Sequence, residues 1–217
     1  MNVQDVVTRV KRTFGDEAAV QITNEDIMRW INDAQTEIVT HNDAALQKTD
    51  TIDLVAGTSQ YTPPVDLLLI RSLRFKYDSM QSYSVLRYKS IQQFDEEIDG
   101  WDGTAYNQAR PYFFTINDGN IVIFPTPDES ATDGLKVVYN QKPTDVTSLA
   151  DSLALPLVYH PTIVRYCLWQ ASLLDEDHEP GVMYRNEFMT DMDRLSNSET
   201  KDPVATYPVI TVLESDL

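Results

Sequence analysis

The chain has 217 residues, enough for one domain or for one domain with a sizeable insertion, and its 34 acidic against 17 basic residues give a net charge of −17. A surface this acidic repels phosphate groups, which argues against a protein that grips nucleic acid or an anionic membrane. The single cysteine excludes an intramolecular disulfide, and no apolar run approaches the ~20 residues of a transmembrane helix.

The first 48 residues predict two amphipathic helices. Apolar residues recur at helical spacing from Val3 to Phe14, and a second apolar stripe follows and fades near residue 41. Thr23, with Asp26 three positions later, resembles a capping box at the start of that second helix. We therefore expect residues 1–48 to form an antiparallel helix pair that needs further partners.

Residues 49–145 predict a β-rich domain inserted between helices. At its start every second residue is apolar, as on one buried strand face: Ile52, Leu54 and Ala56. We interpret the stretch Ile52–Tyr77 as the first strand pair of this domain. Pro63 and Pro64 lie inside it and would prevent further ladder pairing, because proline has no backbone donor.

The clearest hairpin in this domain spans residues 111–125. Two apolar runs flank the turn Asn117-Asp-Gly-Asn120, and the Asp-Gly pair accepts the positive φ angles of a tight turn. A modest strand is predicted at 82–88, a short helix within 90–100, and a strand at 135–139. We expect all strands of the domain to pair antiparallel.

Helical spacing returns over residues 146–198. The helix that follows Pro161 is apolar on more than half of its circumference, so it is either buried at the centre of a bundle or covered by a neighbouring subunit. A last helix is predicted over about residues 182–196. The fold class is therefore α+β: an antiparallel bundle of two N-terminal and two C-terminal helices with an inserted antiparallel β domain.

Residues 199–217 predict an extended C-terminal tail. Prolines at 203 and 208 exclude a helix, and residues 209–213 are strongly β-prone. The tail has no hairpin partner nearby, so a sheet edge, for example on another subunit, is a natural place for it to pair. We expect the partner-binding residues to lie here: Pro203, Val204, Tyr207, Val209, Ile210, Val212, Leu213 and Leu217.

The sequence contains little that indicates catalysis. It has no P-loop, no Gly-x-Gly-x-x-Gly, no Gly-x-Ser-x-Gly and no Cys-x-x-Cys. The acidic run Asp175–Glu179 offers hard oxygen ligands, but it lacks an ordered ligand spacing and fits a solvated turn better. His160 and Cys167 are seven positions apart, about 10 Å along a helix, too far for direct proton transfer. We predict no catalytic residue, no cofactor and no metal.

The order of the elements carries a resemblance to a known family. It rests on the segment Thr23-Asn-Glu-Asp-Ile-x-x-Trp-Ile-Asn-Asp-Ala, on Gly57-Thr-Ser-Gln-Tyr-Thr-Pro-Pro-Val-Asp-Leu-Leu-Leu-Ile, on the glycine-turn hairpin leading to Phe-Pro-x-Pro, and on Tyr159-His160. In this order they resemble the head-to-tail adaptor (connector) proteins of tailed bacteriophages, including the tail tubular protein A type of short-tailed phages. Thr-Pro-Pro stands where that family has Leu-Pro.

The resemblance implies a virion structural protein of the neck or tail, assembled in the host cytoplasm. Its copies would form a homo-oligomeric, dodecameric ring that binds the portal protein, extends the DNA ejection channel and receives tail or nozzle proteins. Packaged DNA would pass without specific binding, no membrane would be a partner, and family members carry no catalytic residues.

Three other functions stay open at the level of the sequence. One is another neck or tail ring component, such as a tail-completion or tail terminator protein. A second is a metal-dependent hydrolase that uses the run Asp175–Glu179. A third is a host-interaction module whose acidic surface mimics phosphate.

Overall fold

A computed structural model of the protein describes residues 1–18, 20–42, 45–97, 101, 108–175 and 178–199. It has the mixed α+β class that the sequence predicts. The helices are α1 (Val3–Phe14), α2 (Asn24–His41), α3 (Ile91–Glu97), α4 (His160–Leu174) and α5 (His178–Glu199). The strands are β1 (Gln47–Leu54), β2 (Gln60–Tyr61), β3 (Leu67–Phe75), β4 (Ser84–Tyr88), β5 (Phe113–Asn117), β6 (Asn120–Phe124) and β7 (Ala131–Gln141).

Side chains cap the first two helices where the chain enters them. The hydroxyl of Thr23 accepts from the backbone N–H of Asp26, whose carboxylate accepts from the N–H of Thr23, so the predicted capping box is confirmed. Asn2 and Asp5 make the same reciprocal pair at the start of α1. The sequence analysis did not identify this second box.

The helical core is built around α4, which packs against α1, α2 and α5. These contacts cover most of the apolar surface of α4 within a single copy, although Leu173 and Leu174 near its end stay exposed. Its buried side chains on this surface are Ile163, Val164, Cys167, Leu168, Ala171 and Ser172. The segment 142–156 leads from β7 back to α4 along the first two helices. The amide of Asn32 holds it by bonding both the N–H and the C=O of Val146.

The sheet is curled, and its strand order is β1-β7-β3-β4-β5-β6-β2. The interpretation of Ile52–Tyr77 as a strand pair is therefore wrong, because β7 lies between β1 and β3 and pairs with both. The predicted buried face at the start of the domain is also wrong in part: Leu54 is buried, whereas Ala56 lies beyond β1 and is exposed. β7 can lie between β1 and β3 because its side chains at Leu135, Val137 and Tyr139 are fully buried.

The expectation of a purely antiparallel domain is also wrong. β4 and β5 pair in parallel, at Arg87 with Phe113 and at Tyr88 with Phe114. A parallel pair needs a long crossover, and residues 89–112, which include α3, supply it. The short helix expected in this region is confirmed, and its buried side chain is Phe94.

The predicted hairpin is confirmed as the pair β5 and β6. Its turn residues Asp118 and Gly119 have φ angles of 48° and 73°, the positive values that a two-residue hairpin turn requires. The strands around this turn bury Phe114, Ile121 and Ile123 in the core of the sheet.

One buried amide joins the sheet to the helices. Asn140 near the end of β7 is fully buried. Its amide nitrogen donates to the backbone carbonyls of Val39 and Asn42 at the end of α2, at 3.1 Å each. Its amide oxygen accepts from the guanidinium of Arg71 in β3. The side chain of Asn42 in turn donates to the hydroxyl of Tyr159, so the junction also reaches the entry to α4.

We expect the substitution Asn140→Ala to lower the free energy of unfolding by about 2–4 kcal/mol, because it leaves buried carbonyls without their donor. Urea denaturation followed by circular dichroism measures the loss. Asn186→Ala, at an exposed position of α5, is the control and should change stability by less than about 0.5 kcal/mol. An Asn140→Ala chain as stable as this control would contradict the role given to the junction.

Aspartates fix several turns by accepting backbone hydrogen bonds. The carboxylate of Asp16 accepts from the N–H groups of Val20, Gln21 and Ile22, in the connection between α1 and α2. The bond from the Ile22 N–H is the largest of the effects that hold the pKa of Asp16 below its usual value. The turn therefore depends on Asp16 being ionised.

An exposed ion pair ties the loop before β3 to the edge of the sheet. Asp66 accepts from the ammonium of Lys48 in β1 at 2.8 Å and from the hydroxyl of Tyr139 in β7 at 2.7 Å. The Lys48 bond, followed by the Tyr139 bond, lowers the pKa of the Asp66 carboxyl. The same contact with Asp66 raises the pKa of Lys48.

We expect these carboxylates to make the protein sensitive to acid. A depressed folded-state pKa contributes stability that is present above the unfolded value, near 3.8, and is lost as the pH falls through the folded value. The difference in unfolding free energy between the natural chain and Asp16→Asn should therefore shrink below about pH 4. Urea titrations from neutral to acid pH measure it. Asn186→Ala, which removes no titratable group from an exposed position of α5, should show no such convergence, and a constant Asp16→Asn difference would contradict the account.

Candidate interaction surfaces

The tail residues predicted to bind partners, from Pro203 to Leu217, lie outside the described residues. Of the acidic run, Asp175 ends α4 and Glu179 lies in the first turn of α5, while residues 176 and 177 are also outside them. Within the part of the chain that the structure describes, no three His, Cys, Asp or Glu side chains are placed to hold a metal ion. In that same part, no helix is both long and apolar enough to cross a membrane.

The only cysteine is buried in the helical core. Cys167 has no solvent exposure, and burial raises the pKa of its thiol, so it stays protonated at neutral pH. The Nε2 atom of His160 lies 2.9 Å from the carbonyl oxygen of Leu155. Both side chains therefore belong to the packing of α4, and neither is arranged as a nucleophile and base.

An apolar groove of about 670 Å³ opens on the sheet. Its walls come from the first half of β3, from β4, and from the hairpin of β5 and β6: Leu67, Leu69, Val85, Tyr88, Phe114 and Ile116. Val85 and Tyr88 are 61% and 62% exposed, and Leu69 and Ile116 are 36% and 40% exposed. The volume falls in the range of about 300–1,000 Å³ that is typical of ligand pockets.

The sequence contains one signal for this groove. Leu67, Leu68, Leu69 and Ile70 are four successive apolar residues, which in a strand means that both faces are apolar. None of the four is fully buried, and Leu69 is exposed. A strand with two apolar faces that a single copy covers only in part indicates a missing partner.

The stretch of sequence that forms β3 and β4 is basic in an otherwise acidic chain. Residues 67–89, which form β3, β4 and their connection, carry five of the 17 basic residues: Arg71, Arg74, Lys76, Arg87 and Lys89. Asp78 is the only acid among them. This part of the surface therefore favours a partner that is apolar and negatively charged.

A second apolar surface lies where α4 ends and α5 begins. Five large side chains are exposed there and farther along α5: Leu173, Leu174, Val182, Met183 and Met189. Arg165 of α4 fastens the two helices by binding the carboxylates of Glu187 and Asp191 in α5. The surface therefore belongs to a helix pair whose relative position is held by ion pairs as well as by packing.

The model of the SU10 adaptor protein family matches residues 1–210. The chain belongs to the SU10 adaptor protein family. No curated protein matches the chain.

Membership assigns the chain a role in the assembly of a phage particle. The SU10 adaptor proteins are head-to-tail adaptors of bacteriophages, so this family member is a structural component of a virion that assembles with other head and tail proteins. A structural family implies a non-enzymatic role. The resemblance to phage adaptors predicted from the sequence is therefore confirmed at the level of the family.

We expect Arg165→Ala to destabilise this SU10 adaptor protein by about 1–2 kcal/mol. The substitution leaves Asp191, whose side chain is only 14% exposed, without its cation, and a partly buried charge costs more to leave unpaired than a surface one. Thermal unfolding measures the change. Arg194→Ala, at an exposed arginine of α5, is the control, and an equal effect of the two substitutions would contradict the assignment.

Proposed function

We propose that this SU10 adaptor protein forms the ring that joins the portal to the tail. In this role the ring is dodecameric, prolongs the channel through which DNA is ejected, and gives tail or nozzle proteins a platform. The match to the adaptor family over residues 1–210 carries the proposal. The relation to the tail tubular protein A type, and assembly in the host cytoplasm, belong to the same proposal.

The exposed apolar surfaces support a protein that works as an assembly. The groove on the sheet and the surface of α4 and α5 both expose large apolar side chains in a single copy. Contiguous patches of this kind are typical of interfaces. In a ring, each copy would place these surfaces against neighbours, portal or tail.

The proposal also assigns a structural role to each part of a single copy. Residues 1–48 and 146–198 would form an antiparallel four-helix bundle, 49–145 the inserted β domain, and 199–217 an extended tail. The tail residues Pro203, Val204, Tyr207, Val209, Ile210, Val212, Leu213 and Leu217 would contact neighbouring subunits or the portal. Two separate hydrophobic cores, one among the helices and one in the sheet, support the division.

The charge of the chain suits a passage for DNA. With 34 acidic against 17 basic residues, the wall of a channel built from many copies would repel the phosphate backbone. Repulsion keeps DNA from adhering as it moves, since phosphate contacts dominate the affinity of proteins for DNA.

The proposal predicts a ring on the portal. The purified protein, mixed with the portal of its own phage, should add one dodecameric ring that electron microscopy resolves. A chain carrying Val209→Asp and Leu213→Asp should assemble about tenfold less well or worse, because charge replaces apolar contact area. Val20→Asp, at a position that is 82% exposed, should assemble normally. The proposal fails if the natural chain neither binds the portal nor forms a ring on it.

A further inference from the structure

The sheet has a gap beside the first half of β3. β7 pairs with β3 along most of its length, from Leu67 to Phe75, but β4 pairs with it only at Leu73–Phe75. β4 then leaves β3 and pairs with β5 instead. Within the described part of the chain, no strand pairs with Leu67–Ile70 on the side away from β7.

The apolar groove occupies this gap. Two register shifts between β3 and β7 lie within this half of β3, and such bulges bend a strand. One wall is therefore a strand edge along which no described strand pairs, although the Leu67 N–H donates to the carbonyl of Pro64. The opposite wall carries Tyr88 and Ile116 from β4 and β5. A strand edge that faces apolar side chains suits an added β-strand, which bonds through its backbone and places alternate side chains in pockets.

The chain itself contains a segment of this chemistry. Residues 209–213 read Val-Ile-Thr-Val-Leu, which is β-prone, apolar and about as long as the open part of β3. Glu214 and Asp216 follow directly. An apolar strand with acids behind it complements an apolar groove whose strands β3 and β4 carry an excess of basic residues.

A linker separates the segment from the end of α5. α5 ends at Glu199, and the nine residues 200–208 span up to about 30 Å when extended. In the ring of the proposed function, on which this inference rests, each copy has one groove and one segment. If each copy gives its segment to the next copy around the ring, every groove is filled.

We propose that Val209–Leu213 of one copy adds to β3 of the neighbouring copy and fills the groove. The apolar walls bury the side chains of the added strand, and the unpaired edge of β3 at Leu68–Ile70 bonds its backbone. This contact is head-to-tail: one copy gives its tail and the next gives its sheet. It differs from a contact through the α4 and α5 surface, which would leave the groove empty.

A peptide titration tests the groove. The probe is a fluorescent peptide of residues 205–217, and the receptor is the full chain carrying Ile210→Asp and Val212→Asp, so that its own segment does not compete. We expect binding in the micromolar range, weakened about tenfold or more when Ile116→Glu is added, because the charge lies in an apolar wall. Val182→Glu, on the exposed surface of α5, should not weaken it. Circular dichroism confirms that each receptor is folded. No binding to the receptor, or equal binding to the Ile116→Glu chain, overturns the proposal.

Cross-linking tests whether the segment of one copy binds the groove of a neighbouring copy. Chains carrying Ile116→Cys are mixed with chains carrying Val212→Cys, assembled on the portal, and treated with a short bismaleimide; the buried Cys167 stays unreactive. A cross-linked dimer in this mixture, absent when Val182→Cys replaces Ile116→Cys, supports donation between copies. If a chain that carries both cysteines forms cross-links only within itself, the segment binds the groove of its own copy, and donation to the neighbouring copy is contradicted. Rings that form normally with Ile116→Glu chains overturn this inference but leave the adaptor function standing. If the peptide binds but no ring forms on the portal, the proposed adaptor function fails, whereas the groove still binds the segment.

Discussion

The amide of Asn140 is the constraint on which the arrangement of this protein depends. It is fully buried, and it bonds the last turn of α2, through the carbonyls of Val39 and Asn42, to the end of β7. The sheet and the helices have separate hydrophobic cores, so apolar packing alone leaves their relative orientation weakly determined. Directed hydrogen bonds from a buried amide do determine it, because each unmade bond leaves a desolvated polar group behind.

The same sheet explains why the molecule has an unfilled surface. β7 lies between β1 and β3. β4 leaves β3 and pairs in parallel with β5, to which a crossover connects it. A groove therefore opens where two strands separate, and its apolar walls stay exposed in the single copy. For a member of the SU10 adaptor protein family, an exposed apolar groove is a means of assembly. The basic residues around it set it apart from the acidic remainder of the chain.

Local features of the fold followed from the sequence, and pairings between distant segments did not. The capping box at Thr23, the turn at Asp118-Gly119 and the helix around Phe94 were predicted because each depends on residues a few positions apart. The strand pair Ile52–Tyr77 was wrong because a strand far along the chain, β7, competes for both edges. The groove was missed for the same reason, although the four apolar residues Leu67–Ile70 signalled an uncovered strand.

By itself, the sequence determined the α+β class, most helix and strand positions and the acidity of the chain, since composition and short-range spacing encode these. The order of its motifs carried the resemblance to phage adaptors. Only the tertiary structure decided which strands are neighbours, that Asn140 joins the sheet to α2, and that β3 keeps an open edge beside an apolar groove. These features depend on how residues nearly a hundred positions apart compete for the same hydrogen bonds and the same buried volume. Such competition is resolved only when the whole chain packs.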